Sequence, residues 1–443
     1  MMIEAPEGAS AHLAGAPPLR PAIGDLSLAG LRDTVVEMGF PAYRGDQVAA
    51  WLYRSSVRSF GEMTNLPKAL REALDARFRM DAMEVVIEAV AADDETRKVA
   101  LRLPDGDVVE TVLMRYPVRD DGTGAERATV CVSTQVGCPV KCAFCATGLM
   151  GFTRNLSTAE IIGQAMHFLR WSRANPPVVR NIVFMGMGEP LMNYDATMAA
   201  VALLVDGAGL GVHRLTVSTS GWLPGMARLI DDQYAVRLAV SLHAPVDDLR
   251  TSLVPLNRRY PLPVLLDACW EYQAKTGRRV TFEYTLLDGV NDTPALARDL
   301  VRLCRGRDVH VNLIPMNPVS SLPFGASRPE AVDEIMRLAD RFGIAATDAG
   351  YAPGPGPLAE ELVVCTLPGA EGEAWAAHAA AAPGTLLDVS YHPWPSPLAR
   401  AWPTDRIASG RDMLLWQAVE QVRLMTGLVA PVAAMEAALR LEG

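Results

Sequence analysis

The chain has 443 residues, of which 50% are hydrophobic and 21% charged, a composition typical of a globular protein. At about 100–200 residues per domain, this length allows two to four domains and excludes a small disulfide-stapled fold. The net charge of −10 argues against a protein that is basic throughout and binds nucleic acid. Residues 348–443 hold eleven acidic and five basic residues, so a local basic patch elsewhere is compatible with this balance.

Residues 1–24 are rich in Ala, Pro and Gly and are expected to form a loose, disordered tail. They lack the basic stretch, apolar run and cleavage site of a signal peptide, and no segment is apolar over the length that spans a bilayer. We therefore expect a cytoplasmic location. Four of the seven cysteines fall within residues 131–145, which in a reducing compartment indicates metal or redox chemistry rather than disulfides.

Two accessory elements are predicted before the main domain. Residues 25–82 are expected to form a helical module, because apolar residues recur at helical spacing in 31–38 and 46–54. Residues 83–127 alternate polar and apolar around Asp105-Gly106-Asp107, which predicts a β-hairpin extension.

From about residue 128, short β-branched runs alternate with amphipathic stretches. Strands are predicted at 128–134, 181–186, 214–220, 236–243, 281–287 and 310–316, and helices at 158–170, 194–205, 265–276, 293–305 and 329–342. This alternation predicts an α/β domain over 128–347, as an open doubly wound sheet or a full or partial barrel, with ligands at the carboxyl ends of the strands. A Pro- and Gly-rich linker at 348–360 separates it from residues 361–443.

The clearest chemical motif is formed by Cys138, Cys142 and Cys145, which follow a predicted strand with the spacing C-x3-C-x2-C. Three thiolates can hold three irons of a 4Fe-4S cluster and leave the fourth iron open to a ligand. A zinc site with a distant fourth ligand is the alternative. The spacing, with Phe144 before the last cysteine, is that of the radical S-adenosylmethionine (SAM) superfamily.

Polar residues also follow the later strands, in Gly186-Met187-Gly188-Glu189-Pro190, around Ser218, in Ser241-Leu242-His243 and in Asn317-Pro318. Each alone is typical of a turn or a helix cap. Together they predict a site at one end of the sheet, where glycines let a ligand approach the backbone and a carboxylate can bind an ammonium group.

Several longer runs resemble the RlmN family of radical SAM RNA methyltransferases. They are CVSTQVGCPVKCAFCATGLMGFTRNL, FMGMGEPLMN, VSTSG, SLHAPVDDLRTSLVPLNRRYPL, FEYTLLDGVND and VNLIPMNP, and FPAYRGDQVAAWLY resembles the accessory domain of that family. The resemblance covers about residues 25–347. It implies a partial (β/α)6 radical-SAM barrel with an N-terminal helical RNA-recognition module, and methylation of adenine C2 in 23S rRNA and tRNA.

The resemblance also implies roles for individual residues. Cys138, Cys142 and Cys145 would bind the 4Fe-4S cluster, and the residues that would contact SAM are Gly188, Glu189, Ser218, Ser241, Leu242, His243 and Asn317. One SAM would methylate a carrier cysteine, and a second would supply the radical that activates that methyl group for addition to adenine. Cys131 would resolve the resulting protein–RNA adduct by forming a disulfide with the carrier cysteine. Glu110 would serve as a proton acceptor in the reaction.

The family pattern is expected to continue after residue 347 with an Ala-Cys-Gly-Gln segment that holds the carrier cysteine, but this sequence lacks it. Instead, LLDVSYHPWPSPLARAW and SGRDMLLWQAVEQVRLMTG resemble the C-terminal end of shikimate dehydrogenase, in which Tyr391 and Gln417 would lie near substrate. The remnant lacks that enzyme's catalytic lysine and its dinucleotide-binding turn. The chain therefore resembles a fusion of two truncated genes, or an error of sequence assembly, with a C-terminal α/β remnant at 361–443.

Cys365 is the nearest thiol downstream of the departure, and it lies in a predicted buried strand, Leu362-Val363-Val364-Cys365-Thr366. It is therefore interpreted as a core cysteine, with methyl carrier as the competing role. Cys269 and Cys304 are interpreted as core residues of helices. We expect the cluster and SAM sites to be retained and methyl transfer to be impaired or lost.

Three other functions remain open from the sequence: Cfr-type methylation of C8 of the same adenosine, a radical SAM reaction on a small molecule, and an RNA-binding pseudoenzyme. The accessory module favours C2. The resemblance further implies an electron donor such as flavodoxin, no membrane partner and a monomeric chain.

Overall fold

The computed structural model describes residues 20–80, 83–91, 94–117, 126–317, 319, 321–341 and 344–348, residue 400, and strands at 362–365, 385–388 and 407–409. The chain divides into two compact units, Met1–Tyr351 and Ala352–Gly443.

The first unit begins with a helical module of α1 (Leu28–Glu37), α2 (Tyr43–Ala49) and α3 (Lys68–Arg77). The first two helices cross closely at Gly45, where an added Cβ would lie 2.6 Å from the Cα of Arg32. A helical module was predicted here, and the structure places its apolar side chains in the main core.

The expected disordered tail at 1–24 is wrong at its last residues, while residues 1–19 lie outside the described part of the chain. Ala22 and Ile23 are buried to 1% exposure. The amide of Ile23 donates to the carbonyl of Arg79 at 3.1 Å, and the amide of Arg79 donates to the carbonyl of Pro21 at 3.0 Å. Burial of Ile23 and this backbone pairing tie the segment to the end of the helical module.

An antiparallel meander follows, formed by β1 (Glu84–Val90), β2 (Thr96–Arg102) and β3 (Val108–Tyr116). The hairpin expected around Asp105-Gly106-Asp107 joins β2 to β3, but the two-stranded extension was an incomplete prediction. A third strand is present, and β3 pairs with the first barrel strand, so the meander continues the barrel sheet.

The remaining strands of the first unit are β4 (Arg127–Cys131), β5 (Gln135–Gly137), β6 (Phe152–Asn155), β7 (Val179–Phe184), β8 (Leu215–Thr219), β9 (Arg237–Ser241), β10 (Val280–Leu286), β11 (Val309–Pro315) and β12 (Ala345–Asp348). The ten-stranded sheet has the order β1-β2-β3-β4-β7-β8-β9-β10-β11-β12, and every neighbouring pair from β4 onwards is parallel. β5 and β6 form a separate hairpin. The six predicted strands are confirmed within a few residues.

The helices of this region are α4 (Ala146–Leu149), α5 (Thr158–Ala174), α6 (Tyr194–Ala202), α7 (Leu223–Asp231), α8 (Asp247–Leu253), α9 (Leu262–Thr276), α10 (Pro294–Cys304) and α11 (Pro329–Arg341). The predicted helices are all present. α7 and α8 were not predicted, because each is short and begins beside turn-forming residues. The result is the expected partial radical-SAM barrel, with six β/α units and a seventh strand.

In the described part of the second unit, β13 (Leu362–Cys365), β14 (Thr385–Asp388) and β15 (Ile407–Ser409) form a parallel sheet in that order. The predicted strand that contains Cys365 is therefore present, and Cys365 lies opposite Asp388. Tyr391 and Gln417 lie outside the described residues.

Replacing Gly45 with alanine tests the close crossing of α1 and α2. The added Cβ meets helix backbone, which cannot move aside as a flexible side chain can, so we expect Gly45→Ala to lower the free energy of unfolding by about 1–3 kcal/mol. Urea denaturation followed by circular dichroism measures this. Gly30→Ala, also in this module but with 3.4 Å of clearance, is the control, and an equal loss there would contradict the close-crossing argument.

Candidate active site at the carboxyl ends of the barrel strands

The predicted site residues of the first unit lie at one edge of the parallel sheet. β4 ends at Cys131, β8 at Thr219 and β9 at Ser241. The turn 186–190 follows β7, and the exposed Asn317 follows β11. Because these strands are parallel, their carboxyl ends gather at the same edge, where barrels of this kind bind their ligands.

The β5–β6 hairpin shapes the loop that carries the three cysteines. Gly137 has a φ of +72°, and an added Cβ would lie only 1.9 Å from the carbonyl oxygen of Gly151. The amide of Cys138 donates to that same carbonyl at 2.7 Å. Lys141 has a φ of +58°, so the chain turns between the first two cysteines.

All three thiols are partly accessible, and two of them pack on an apolar cluster at the strand ends. Cys138 and Cys142 contact this cluster, whose buried members are Val140, Ala244, Leu253, Val254, Leu287 and Met316. Leu287 and Met316 directly follow β10 and β11, and Ala244 lies three residues after β9, so the cysteine loop lies over the edge of the sheet.

Burial raises the pKa of the Cys138 thiol to about 11, and it raises the pKa of Cys142 well above its usual range. Nearby negative charge from Glu189 and Cys145 acts in the same direction on both thiols. Thiolates are therefore unfavourable here unless positive charge compensates them, which is what iron ions supply. This donor set fits an iron–sulfur cluster.

The zinc alternative finds no support in this geometry. In the described part of the chain, no group of three or more His, Cys, Asp or Glu side chains surrounds a single metal-ion position. A 4Fe-4S cluster does not need such convergence, because each thiolate binds a different iron.

Two glycines allow the turn after β7 to lie against the segment after β4. A Cβ on Gly186 would lie 2.6 Å from the hydroxyl of Ser133. Gly188 has a φ of +107°, and a Cβ there would lie 2.6 Å from the side chain of Gln135. Larger residues would push the turn away from the site.

Glu189 is a carboxylate at 1% exposure that accepts hydrogen bonds from the amides of Ser220 at 2.7 Å and Leu191 at 3.2 Å. The amide of Glu189 donates to the side chain of Gln135 at 2.8 Å. Burial raises the pKa of the Glu189 carboxyl despite these donors. No basic side chain pairs with it within the described residues, so the position fits an incoming ammonium group.

His243 has a left-handed backbone, with a φ of +56°, and is buried. Its Nδ1 accepts a hydrogen bond from the amide of Thr285 at 3.0 Å, and its ring meets Phe144 edge-on with 4.5 Å between ring centres. Burial, followed by the charge of Arg250, lowers the pKa of His243 to about 3, so the ring is neutral at physiological pH. The cysteine loop thus contacts the end of β9 through an aromatic pair.

Arg250 is the important residue that the sequence interpretation missed. It is fully buried and donates to the backbone carbonyls of Ser220 (2.8 Å), Ser241 (3.0 Å) and Leu242 (3.2 Å) and to the side chain of Asn257 (2.7 Å). Burial lowers the pKa of Arg250 to about 10, which leaves it charged at neutral pH. A single guanidinium therefore joins the ends of β8 and β9 beneath the site. No element was predicted at residues 247–253, so nothing in the sequence analysis marked Arg250 as buried.

Glu283 is a second buried carboxyl that was missed. It lies between Ser241 and Asn312 in the strand register, and its carboxylate accepts a hydrogen bond from the side-chain Nδ2 of Asn312 at 2.8 Å. Burial raises the pKa of Glu283. Its neighbour Phe282 packs against Trp270 of α9, so Glu283 points to the opposite face, into the barrel.

Glu110 and Cys131 lie on the paired strands β3 and β4. Cys131 is opposite Val112, two residues from Glu110. The hydroxyl of Ser133 donates to the carbonyl of Glu110 at 2.6 Å, and the Glu110 carboxylate pairs with Lys98 at 3.0 Å. The structure therefore brings this acid and this thiol to the same part of the sheet.

Burial raises the pKa of the Cys131 thiol to about 12, against a hydrogen bond from the amide of Met185 that lowers it. The thiol therefore keeps its proton at neutral pH and needs a base before it can attack. Cys131, Cys138, Cys142, Cys145, Cys269 and Cys304 are all free thiols, so the disulfide expected at Cys131 is not formed in this structure. Cys269 and Cys304 are buried in α9 and α10, which confirms their interpretation as core residues.

The fold and this site define a radical SAM protein. The Radical SAM superfamily model matches residues 132–300, and the ribosomal RNA large subunit methyltransferase N-terminal domain model matches residues 22–80. A third match, to the shikimate 5'-dehydrogenase C-terminal domain, covers residues 410–440.

The chain belongs to the RlmN family of radical SAM RNA methyltransferases. It is 44% identical to the dual-specificity RNA methyltransferase RlmN 1 of Myxococcus xanthus, over 74% of this chain and 88% of that protein. It is 43% identical to a probable RlmN of Salinispora arenicola, over 76% of this chain and 89% of that protein. A crystal structure of a radical SAM methyltransferase from Sphaerobacter thermophilus superposes with a TM-score of 0.70, at 48% identity, over 74% of this chain and 94% of the other. The family uses a 4Fe-4S cluster and SAM.

Among the described residues, no helix combines the length and apolar character needed to cross a membrane.

Removing the Arg250 guanidinium tests its role under the site. Arg250→Met removes a donor from three buried carbonyls, one of which, that of Leu242, also accepts from the backbone amide of Ala244, so we expect the free energy of unfolding to fall by about 3 kcal/mol. Arg258→Met, at the exposed end of the 3-10 turn Pro255–Arg258, is the control. Equal urea midpoints for the two variants would contradict the proposed bridging role.

The buried His243 predicts a pH effect on stability. The unfolded chain takes up a proton near pH 6.5, whereas the folded ring resists it until about pH 3, so acidification below pH 6.5 costs stability. His243→Asn keeps an acceptor for the Thr285 amide but removes the titration. Between pH 7 and pH 5 the wild type should lose up to about 1.4 kcal/mol per pH unit below 6.5 relative to this variant. Parallel pH profiles in urea would contradict a neutral buried ring.

Proposed function

We propose that this chain is an RlmN-type enzyme that acts on adenine C2 of ribosomal and transfer RNA, in which methyl transfer is impaired because the carrier segment is replaced. The observation that carries the proposal is the gathering of the Cys138–Cys142–Cys145 thiols and the unpaired buried Glu189 at one edge of the barrel. The chain's RlmN relatives are named for dual-specificity RNA methylation.

Within this proposal, the three thiolates hold the 4Fe-4S cluster, which with SAM supplies radical chemistry at a carbon that ordinary methyl transfer cannot reach. The apolar cluster beneath the loop excludes water from one side of it. Removal of the thiol protons accompanies metal binding, because burial keeps these thiols neutral in the free chain.

The polar groups of the edge bind and orient SAM in this proposal. Glu189 binds its ammonium group, and Gly188 leaves room for close approach to the turn. Ser218, Ser241, Leu242, His243 and Asn317 provide the remaining contacts. Arg250 supports the backbone of two of these residues, Ser241 and Leu242, and that of Ser220, from below without touching the ligand.

Glu110 and Cys131 serve the later proton and thiol steps. Glu110 accepts a proton, and its pairing with Lys98 holds the carboxylate beside β4. Cys131 would attack the carrier sulfur of the protein–RNA thioether: a disulfide would form, the sulfur–carbon bond would break, and its electron pair would pass to the adenine-bound carbon, which takes up a proton to become the methyl group. Cys131 needs a base for this attack because burial keeps its proton bound. The N-terminal module provides RNA recognition, supported by its match to the RNA methyltransferase N-terminal domain.

The segment expected to hold the methyl-carrier cysteine is missing from this chain. No Ala-Cys-Gly-Gln segment follows β12, and the next thiol is Cys365 at the end of β13. We propose that SAM is still cleaved, with the added reductant or buffer supplying the hydrogen atom in place of the carrier methyl group, and that RNA methylation is lost or much slower. We further propose a flavodoxin-type electron donor and a monomeric chain located in the cytoplasm.

Anaerobic reconstitution with iron, sulfide, SAM, a reductant and RNA tests this proposal, with mass spectrometry of 5'-deoxyadenosine and of the RNA nucleosides as readout. We expect 5'-deoxyadenosine with little or no 2-methyladenosine. Cys142→Ala should abolish 5'-deoxyadenosine, whereas Cys304→Ala, a buried core cysteine, should not.

Other outcomes would overturn parts of the proposal. Efficient 2-methyladenosine formation that is lost in Cys365→Ala would identify Cys365 as the carrier. 8-Methyladenosine would identify Cfr-type selectivity. Absence of 5'-deoxyadenosine from a chain with an intact cluster would identify a pseudoenzyme.

A further inference from the structure

The opposite edge of the barrel sheet carries an unusual density of arginines. Seven arginines lie within two residues of the first residue of successive parallel strands: Arg127, Arg180, Arg214, Arg237, Arg278, Arg279 and Arg307. We name these seven residues the arginine edge. They stand at the amino ends of the strands, the edge opposite the cysteine loop, in a chain whose net charge is −10.

The strand register brings these side chains together. Arg237 begins β9, Thr216 of β8 lies opposite it, and Leu238 lies opposite Val280 of β10. Arg214 and Arg279 therefore flank Arg237 on the neighbouring strands. The pKa of Arg237 is lowered by burial and then by the charges of four other members of the edge, which is consistent with this crowding.

These arginines lack acidic partners within the described residues. None of the seven forms an ion pair there, and six of the seven are exposed, with Arg278 half-buried. Glu126 and Asp308 are the acidic residues next to these strand starts. Like charges on adjacent strands repel, so the arrangement costs stability in the free protein and an anion would relieve that cost.

Two of the arginines make cation–π contacts with aromatic rings. The guanidinium of Arg127 lies 4.3 Å from the centre of the Tyr116 ring, and that of Arg307 lies 4.8 Å from the centre of the Trp270 ring. Basic groups interleaved with aromatic rings are typical of surfaces that bind nucleic acid.

We propose that the arginine edge binds the phosphate backbone of the RNA substrate at a distance from the target adenine. The inference rests on the proposed function, because it takes RNA as the substrate. Arg237 and Ser241 are four residues apart on one strand, about 13 Å at the usual rise, so the arginine edge and the reaction site cannot contact the same nucleotide. A folded RNA that extends past the target loop can reach both.

The open, multi-strand layout favours a polyanion over a small ion. Seven arginines spread across six strands match a row of phosphates. An acidic electron-transfer protein is the competing partner, but it would dock far from the cysteine loop to which it must deliver electrons.

The test uses the full chain without SAM and measures RNA binding at several salt concentrations. The variant is Arg214→Gln with Arg237→Gln and Arg279→Gln. The control, matched in charge, is Arg298→Gln with Arg302→Gln and Arg337→Gln on the exposed surface of α10 and α11. The probes are an unmodified full-length tRNA transcript and a short hairpin that contains only the target adenosine and its stem.

For full-length tRNA, we expect the variant to bind at least about tenfold more weakly than wild type at 0.1 M salt. The slope of log K against log salt should fall by about 2–3, since each lost phosphate contact contributes about 0.7–0.9. Binding of the hairpin, and 5'-deoxyadenosine formation without RNA, should match wild type, because none of these residues lies at the reaction edge.

Unchanged tRNA affinity and salt slope in the variant would overturn the inference, as would an equal loss in the control. An equal loss of affinity for the hairpin would mean that these arginines do not bind RNA at a distance from the target adenosine, and it would also overturn the inference. Loss of flavodoxin binding with RNA binding intact would assign the surface to an acidic protein instead. RNA binding is measured without SAM and does not depend on methylation. A failure of the proposed methylation function can therefore be distinguished from a failure of RNA binding at the arginine edge.

Discussion

The reaction edge of the barrel depends on the buried guanidinium of Arg250. Parallel strands leave backbone carbonyls unpaired where they end, and those carbonyls must be satisfied before the chain can turn. Arg250 donates to the carbonyls of Ser220, Ser241 and Leu242 at once, the last of which also accepts from the amide of Ala244, and thereby fixes the ends of β8 and β9 relative to each other. The Glu189 carboxylate accepts from the amide of the same Ser220, so the position of this acid follows from the same constraint.

Much of the fold was predictable because periodicity reports burial directly. The alternation of β-branched and amphipathic runs predicted the six parallel strands and their long helices. The cysteine spacing predicted the loop that holds the cluster. Local signals failed where long-range packing decided the structure. Ile23 is ordered because it pairs with Arg79, far along the chain, and no local pattern encodes that contact. Arg250 and Glu283 are charged residues that look solvent-exposed in sequence but are buried by tertiary partners.

The two edges of the parallel sheet differ in chemistry. The carboxyl edge gathers partly buried thiols and a buried carboxyl whose pKa values are raised by burial, so it favours ligands that bring positive charge. The amino edge gathers exposed arginines such as Arg214 and Arg237, so it favours anions. One sheet thus separates a metal and SAM site from a phosphate-binding surface, which suits a substrate as large as RNA. The departure after β12 leaves both edges intact and removes only the expected carrier segment.

We propose that the three thiols and Glu189 form one site that binds both the cluster and SAM. Electron paramagnetic resonance of the reduced, reconstituted chain, recorded before and after addition of SAM, tests it most directly. We predict a 4Fe-4S paramagnetic resonance signal that SAM shifts in wild type. In Glu189→Gln, at equal iron content, we predict a much weaker response of this signal to SAM. A signal that does not respond to SAM in wild type, or that responds equally in the variant, would contradict it.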